Sequence, residues 1–196
     1  MGPARPAVGD VPDGMPRIAS IGGMPRIGWQ LPLTLALGVL AWVAIGPVVA
    51  AIPALYVAAV TPELARIDLA EHRLPNRLVV PGIAIGLLAA AGSWATTGAV
   101  PFVPLAAGAV YFGVLFVVAL PGGMGMGDVK LAAALGLASP TTTVALASPL
   151  IAFLLGGVVA LVVLITRGRD RRIPFGPFLL AGYVGALVLQ AISAPG

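Results

Sequence analysis

Leu78 to Gly127 reads LVVPGIAIGLLAAAGSWATTGAVPFVPLAAGAVYFGVLFVVALPGGMGMG, 50 residues without a charged side chain. A helix needs about 20 apolar residues to cross the roughly 30 Å hydrocarbon core of a bilayer, so this stretch holds two crossings. Small and turn-forming residues from Thr96 to Pro101 mark the break between them. Working outward, three further uncharged stretches run from Ile27 to Pro62, Leu131 to Thr166 and Ile173 to Gly196. The last holds one helix. Leu131 to Thr166 divides at Ser139-Pro140-Thr141 into a short helix from about Asp128 to Ala138 and a full span from about Thr142 to Ile165. Ile27 to Pro62 is too long for one tidy helix and tight for two. We read it as a single long helix from about Leu31 to Val60, bent at Pro47 and Pro53. The expected fold is an all-α, polytopic transmembrane bundle of about six helices.

Composition agrees with a membrane protein. The chain is 59% hydrophobic and 9% charged, with a mean hydropathy of +1.05, against about 25% charged residues in soluble domains. Its net charge of +4 and pI near 10.4 raise the question of nucleic acid. The basic residues, however, sit in short loops beside apolar spans and form no continuous face, so no nucleic-acid partner is expected. The absence of cysteine excludes a disulfide framework and a thiolate zinc site. Residues 1–30 contain Arg5, Arg17 and Arg26 and repeat Gly-Met-Pro-Arg-Ile at Gly14 to Ile18 and Gly23 to Ile27. They lack the short apolar core of a removable signal peptide. We expect a flexible tail here, followed by one domain over 31–194. Met15 or Met24 could be the start of translation.

Loop charges set the orientation. Cytoplasmic loops collect Lys and Arg, and six crossings place three loops on one face: Thr61 to Arg77, the turn at Lys130, and Arg167 to Arg172. The loops near Thr97 and Ser139 on the other face carry no charge. The expected cytoplasmic face thus holds eight of the 11 basic residues, and the tail's three arginines dissent.

Two acids stand out on that face. Asp128 follows Gly122-Gly123-Met124-Gly125-Met126-Gly127 and opens a helix that runs directly into apolar sequence. An acid at such a position costs up to about 2.5–3.5 kcal/mol and marks a functional site by default. The helix N-terminus favours its carboxylate form. Gly125 and Gly127 would permit unusual backbone angles or the close approach of an extended substrate chain. Asp68 lies in Arg66-Ile67-Asp68-Leu69-Ala70-Glu71-His72-Arg73-Leu74-Pro75-Asn76-Arg77, with Asn76 a suitable N-cap for the next span. If the two carboxyls meet, one keeps a proton while the other takes one from water, which is the logic of aspartyl proteolysis. Simpler readings stand beside this one. Asp68 could pair with Arg66 or Arg73, and Asp128 could be an N-cap paired with Lys130. His72 reads as a headgroup-level polar residue, and Pro174 to Phe178 could be only a helix start.

Taken together, Asp68 with Leu74-Pro75-Asn76, Gly125-Met126-Gly127-Asp128-Val129-Lys130-Leu131 and Ile173-Pro174-Phe175-Gly176-Pro177-Phe178 resemble the type IV prepilin peptidase family of GxGD membrane aspartyl proteases. The resemblance runs from about Leu31 to Ala194. It implies that Asp68 and Asp128 are the catalytic aspartates of a plasma-membrane endopeptidase, acting on water at the cytoplasmic face without cofactor or metal. It implies as substrates type IV prepilins or pilin-like proteins, which lose a short basic leader. Gly125, Gly127, Lys130, Pro174, Phe175 and Gly176 would shape the site or bind substrate. Larger family members carry a cysteine-containing cytoplasmic insertion and methylate the mature pilin. Its absence points to the compact form similar to enzymes of Flp or Tad pili, with no methyltransferase activity expected. The competing readings are a non-catalytic scaffold or pilus assembly factor of the same fold and a small transporter with an acid relay. The scarcity of polar residues within the spans disfavours the transporter.

Overall fold

The computed structural model of the chain describes residues 28–46, 49–121, 124–167 and 174–193. The expected flexible tail, Pro47, Gly122, Gly123, Ile173 and most of the arginine-rich loop lie outside them. Seven helices follow one another: α1 (Gln30–Ile45), α2 (Ala51–Glu71), α3 (Asn76–Thr97), α4 (Phe102–Ala119), α5 (Met126–Leu137), α6 (Thr142–Arg167) and α7 (Gly176–Ser193). The described residues form an all-α bundle in which α3, α4, α6 and α7 are each long and apolar enough to cross a membrane. Large side chains such as Leu88, Leu146 and Ile165 point outward, as they must where the surrounding solvent is lipid.

The long first helix expected from sequence is two helices. Gly46 ends α1 with φ of 82°, a backbone region that a side chain would strain, and the chain folds back so that α1 packs along α2. The nitrogen of the Gln30 side chain donates to Glu63 Oε2 at 3.0 Å. The start of α1 therefore lies at the charged end of α2. Gly28, the first described residue, thus lies at the end of the bundle that carries Arg66, Arg73, Arg77 and Lys130.

Helix α5 is the centre of the bundle. Its 12 residues extend about 18 Å, too little to cross a bilayer unaided, and Val129 and Leu131 to Leu137 are buried. Close approach to its neighbours comes from small residues. A methyl group on Gly136 would lie 2.6 Å from the Ala107 backbone of α4, and one on Gly86 of α3 would lie 2.6 Å from Leu137 Cβ. The open carbonyl at the C-terminal end of α5 is satisfied by α7, where Tyr183 donates its hydroxyl to Ala138 O at 2.6 Å. A comparable repair occurs between α4 and α6. Pro149 lies inside α6 and cannot donate to the carbonyl of Ala145; the Tyr111 hydroxyl of α4 donates to it instead.

Candidate active site

Asp68 occupies the last turn of α2 and is buried. The helix ends at His72, which adopts the left-handed conformation (φ 52°, ψ 36°) and donates its backbone N–H to Asp68 O at 2.9 Å. That turn reverses the chain and delivers Leu74 to the first turn of α5. There Gly127 receives it: a methyl group on Gly127 would lie 2.9 Å from Leu74 Cβ. The glycine is needed for this approach, and its neighbour Asp128 is thereby held beside the segment that carries Asp68.

Neither expected role of the glycines as bearers of unusual backbone angles holds. Gly125 is the extended N-cap of α5 (φ −77°, ψ 144°), and neither Gly125 nor Gly127 has positive φ. Gly127 accommodates the protein's own loop. Asn76 is likewise not the N-cap of α3, since Pro75 takes that position without a side-chain bond. The Asn76 side chain accepts a hydrogen bond from Lys130 Nζ at 3.1 Å, tying the start of α3 to α5.

The third contribution comes from α7. The Gly176 N–H donates to Asp68 Oδ2 at 3.1 Å across 108 positions of sequence. Gly176 opens α7, so the partial positive end of that helix faces the carboxylate. Space there is tight, with room for hydrogen only: a methyl group on Gly176 would lie 2.7 Å from Asp68 Oδ2. Phe175 packs its ring against Phe153 of α6 at 5.5 Å between centroids. Pro174 precedes it as a half-buried residue of the same connection.

The simpler pairings do not form. Arg66 binds Glu63, with Nη2 to Oε1 at 2.6 Å, and Lys130 binds Asn76. Asp128 Oδ1 is buried with no hydrogen-bond partner among the described residues. Both carboxyls line one pocket of about 270 Å³ together with His72, Arg73, Asn76, Gly125, Gly127 and Lys130. Met126 and Leu74 complete its wall. His72, which reads from sequence as a headgroup-level polar residue, lines the pocket because the left-handed turn that ends α2 lies beside Asp68.

The environment favours retention of a proton. Burial, with the Asp68 carboxyl as the second cause, pushes Asp128 from the ordinary carboxyl value up to about 6, opposed by the Gly125 contact. Burial also raises Asp68, opposed by the Gly176 N–H and by His72. Both acids lie at helix ends outside the apolar spans of α3, α4, α6 and α7. Among the described residues no group of three or more His, Asp or Glu is placed to hold a metal.

Fold and pocket define a multi-pass membrane protein with two carboxyls at the charged end of its bundle. The sequence profile of the type IV leader peptidase family matches residues 54–165. The chain belongs to that family. The matched stretch includes Asp68, Asp128 and α5, and stops short of α1 and of Gly176 in α7. No curated protein and no solved structure matches the chain significantly.

Proposed function

We propose that this chain is an aspartic-type endopeptidase that removes the short basic leader from type IV prepilins or pilin-like proteins at the cytoplasmic face of the plasma membrane. The observation that carries this reading is the convergence of Asp68 and Asp128 on one polar pocket at the charged end of an otherwise apolar bundle. Two carboxyls sharing a site keep one proton between them to a higher pH than an ordinary carboxyl does, because ionising both is costly. The ionised member takes a proton from water as that water attacks the scissile carbonyl, and the protonated member gives its proton to the carbonyl oxygen; the first member then passes the proton it took to the leaving amine as the C–N bond breaks, and the second recovers its own from the hydroxyl of the collapsing intermediate. Asp68 suits the ionised role, because the Gly176 N–H stabilises its charge. Asp128 suits the protonated role, because its Oδ1 has no donor to stabilise a charge there. A substrate with a basic leader would approach this rim with its apolar segment still in the membrane.

Lys130 and Asn76, bonded to each other, form a polar part of the pocket wall, and we assign to them the shaping of the pocket. No methyl transfer is part of this reading. The deciding experiment co-expresses a candidate prepilin with wild type, Asp68→Asn or Asp128→Asn and reads leader removal by mass, with membrane abundance checked in each case. Loss of cleavage in both variants at normal abundance supports the dyad. Cleavage surviving either substitution refutes it.

A further inference from the structure

Beyond the catalytic pocket, a second depression of about 210 Å³ lies between α4 and α6, floored by α5. Its walls are apolar, including Val110 and Val114 of α4, Leu146 and Phe153 of α6, and Leu179 of α7. Val110, Val114 and Leu146 are 59%, 48% and 69% exposed, so the depression opens sideways, toward the acyl chains of a bilayer. Its floor is Ala132 and Leu135. These residues stand four and seven positions after Asp128, on the same face of α5. Leu179 stands three positions after Gly176, on the face of α7 whose first N–H holds Asp68. The two depressions are thus successive levels of one track, with Leu135 about 10 Å deeper along the helix than Asp128. Phe153 lines the groove and packs on Phe175, the residue before the Gly176 whose N–H holds Asp68.

We propose that this groove docks the membrane-embedded apolar helix that follows the scissile bond of the substrate. The proposal rests on the peptidase reading above. Its ground is continuity and chemical match. The track changes from polar and charged side chains (the two carboxyls, His72, Arg73 and Lys130) at one level to an apolar trough at the next, and a substrate whose polar extended segment precedes an apolar helix changes from polar to apolar in the same place. The trough is too shallow to enclose a helix but suits its side chains, in the manner of ridges set into grooves. A helix seated there would deliver the preceding extended residues to Asp128.

The chain lacks cysteine, so single cysteines report contacts cleanly. Leu146→Cys and Val114→Cys probe the groove, while Leu88→Cys on α3, where Leu88 is 71% exposed, and Val162→Cys, at a position 54% exposed, report general lipid exposure. Each is combined with Asp128→Asn in native membranes holding a model substrate, a basic leader joined to an apolar helix with one cysteine in its second turn. The cysteine-free parent is first shown to cleave the same substrate. Disulfide formation at Leu146→Cys and Val114→Cys, at least about tenfold above the two controls, is expected. In the active protein, Leu146→Trp is expected to raise KM for that substrate about tenfold, with kcat held, and to change much less the cleavage of a short peptide that carries the leader and only the first few residues after the scissile bond. Cleavage by the parent with equal crosslinking at all four positions, or with no effect of Leu146→Trp, would mean that the groove holds only lipid and would overturn the docking proposal alone. Failure of the parent to cleave would remove the peptidase reading and this one with it.

Discussion

Gly127 and Leu74 touch so closely that a single methyl group on the glycine would lie 2.9 Å from Leu74 Cβ. This contact fixes the loop between α2 and α3 on the first turn of α5 and so sets the spacing of Asp68 and Asp128. Gly127→Ala is expected to cost about 1–3 kcal/mol of stability, the usual penalty of overpacking, and to lower leader cleavage by more than the loss of folded protein explains. Removing the opposing Cβ tests the cause. In a Leu74→Gly background the alanine should do markedly less harm, a coupling read from the four proteins of a double-mutant cycle. Additive effects would show that the glycine acts through something other than this contact.

Gly176 offers a second steric test of a different kind, because its N–H itself makes the bond to Asp68. Gly176→Ala keeps the N–H but drives a methyl group to 2.7 Å from Asp68 Oδ2, so the carboxyl must move. A hydrogen bond to a charged group contributes about 1.5–3 kcal/mol, and cleavage is expected to fall by about 10- to 100-fold at unchanged membrane abundance. Phe175→Leu serves as a control for packing on α6. Wild-type activity in Gly176→Ala would show that this bond does not position the acid.

The dyad's electrostatics give a dependence on pH. Asp128 titrates near 6 in the folded protein and near the ordinary carboxyl value when unfolded, so the folded state binds the proton more tightly. This contribution is fully present below about pH 4 and is lost as pH rises through about 6. Asp128→Asn removes the cost of ionisation. It should therefore raise stability at about pH 7.5, on the order of 1–2 kcal/mol once solvent relaxation is allowed for, and give no gain near pH 4. Thermal unfolding in detergent at the two pH values measures the difference. For the wild type, kcat/KM should fall on the alkaline side with a midpoint near 6, where the pair surrenders its shared proton.

Much of this arrangement was legible before any coordinates. Charge-free stretches of the right length located α3, α4, α6 and α7, and the costliness of acids beside them singled out Asp68 and Asp128, which line one pocket. The break between α1 and α2 escaped because apolar residues flank it on both sides and no charge marks the turn. Gly46-Pro47 carries a stop signal, and α1 ends there where the sequence suggests a bend. The bond from Gly176 to Asp68 had no signature, since every residue but proline offers a backbone N–H and only the fold brings these two together. Gly127 invites an unusual backbone angle or the close approach of another chain; it does not adopt the angle, and the segment that approaches it is the protein's own Leu74.

The same dependence on the fold appears between α4 and α6, where a proline and a tyrosine form one unit. Pro149 deprives the Ala145 carbonyl of its helical donor, and the Tyr111 hydroxyl supplies another. Tyr111→Phe should leave that carbonyl unsatisfied in an apolar setting, at a cost of about 1–3 kcal/mol, read as a lower unfolding temperature in detergent. Pro149→Ala restores an N–H to α6 and with it the ordinary helical bond. The loss caused by Tyr111→Phe should then shrink to little more than that of a missing hydroxyl contact. An equal loss in both backgrounds would mean that Tyr111 acts through its ring, or through the nearby Ser148, and not by repairing the helix.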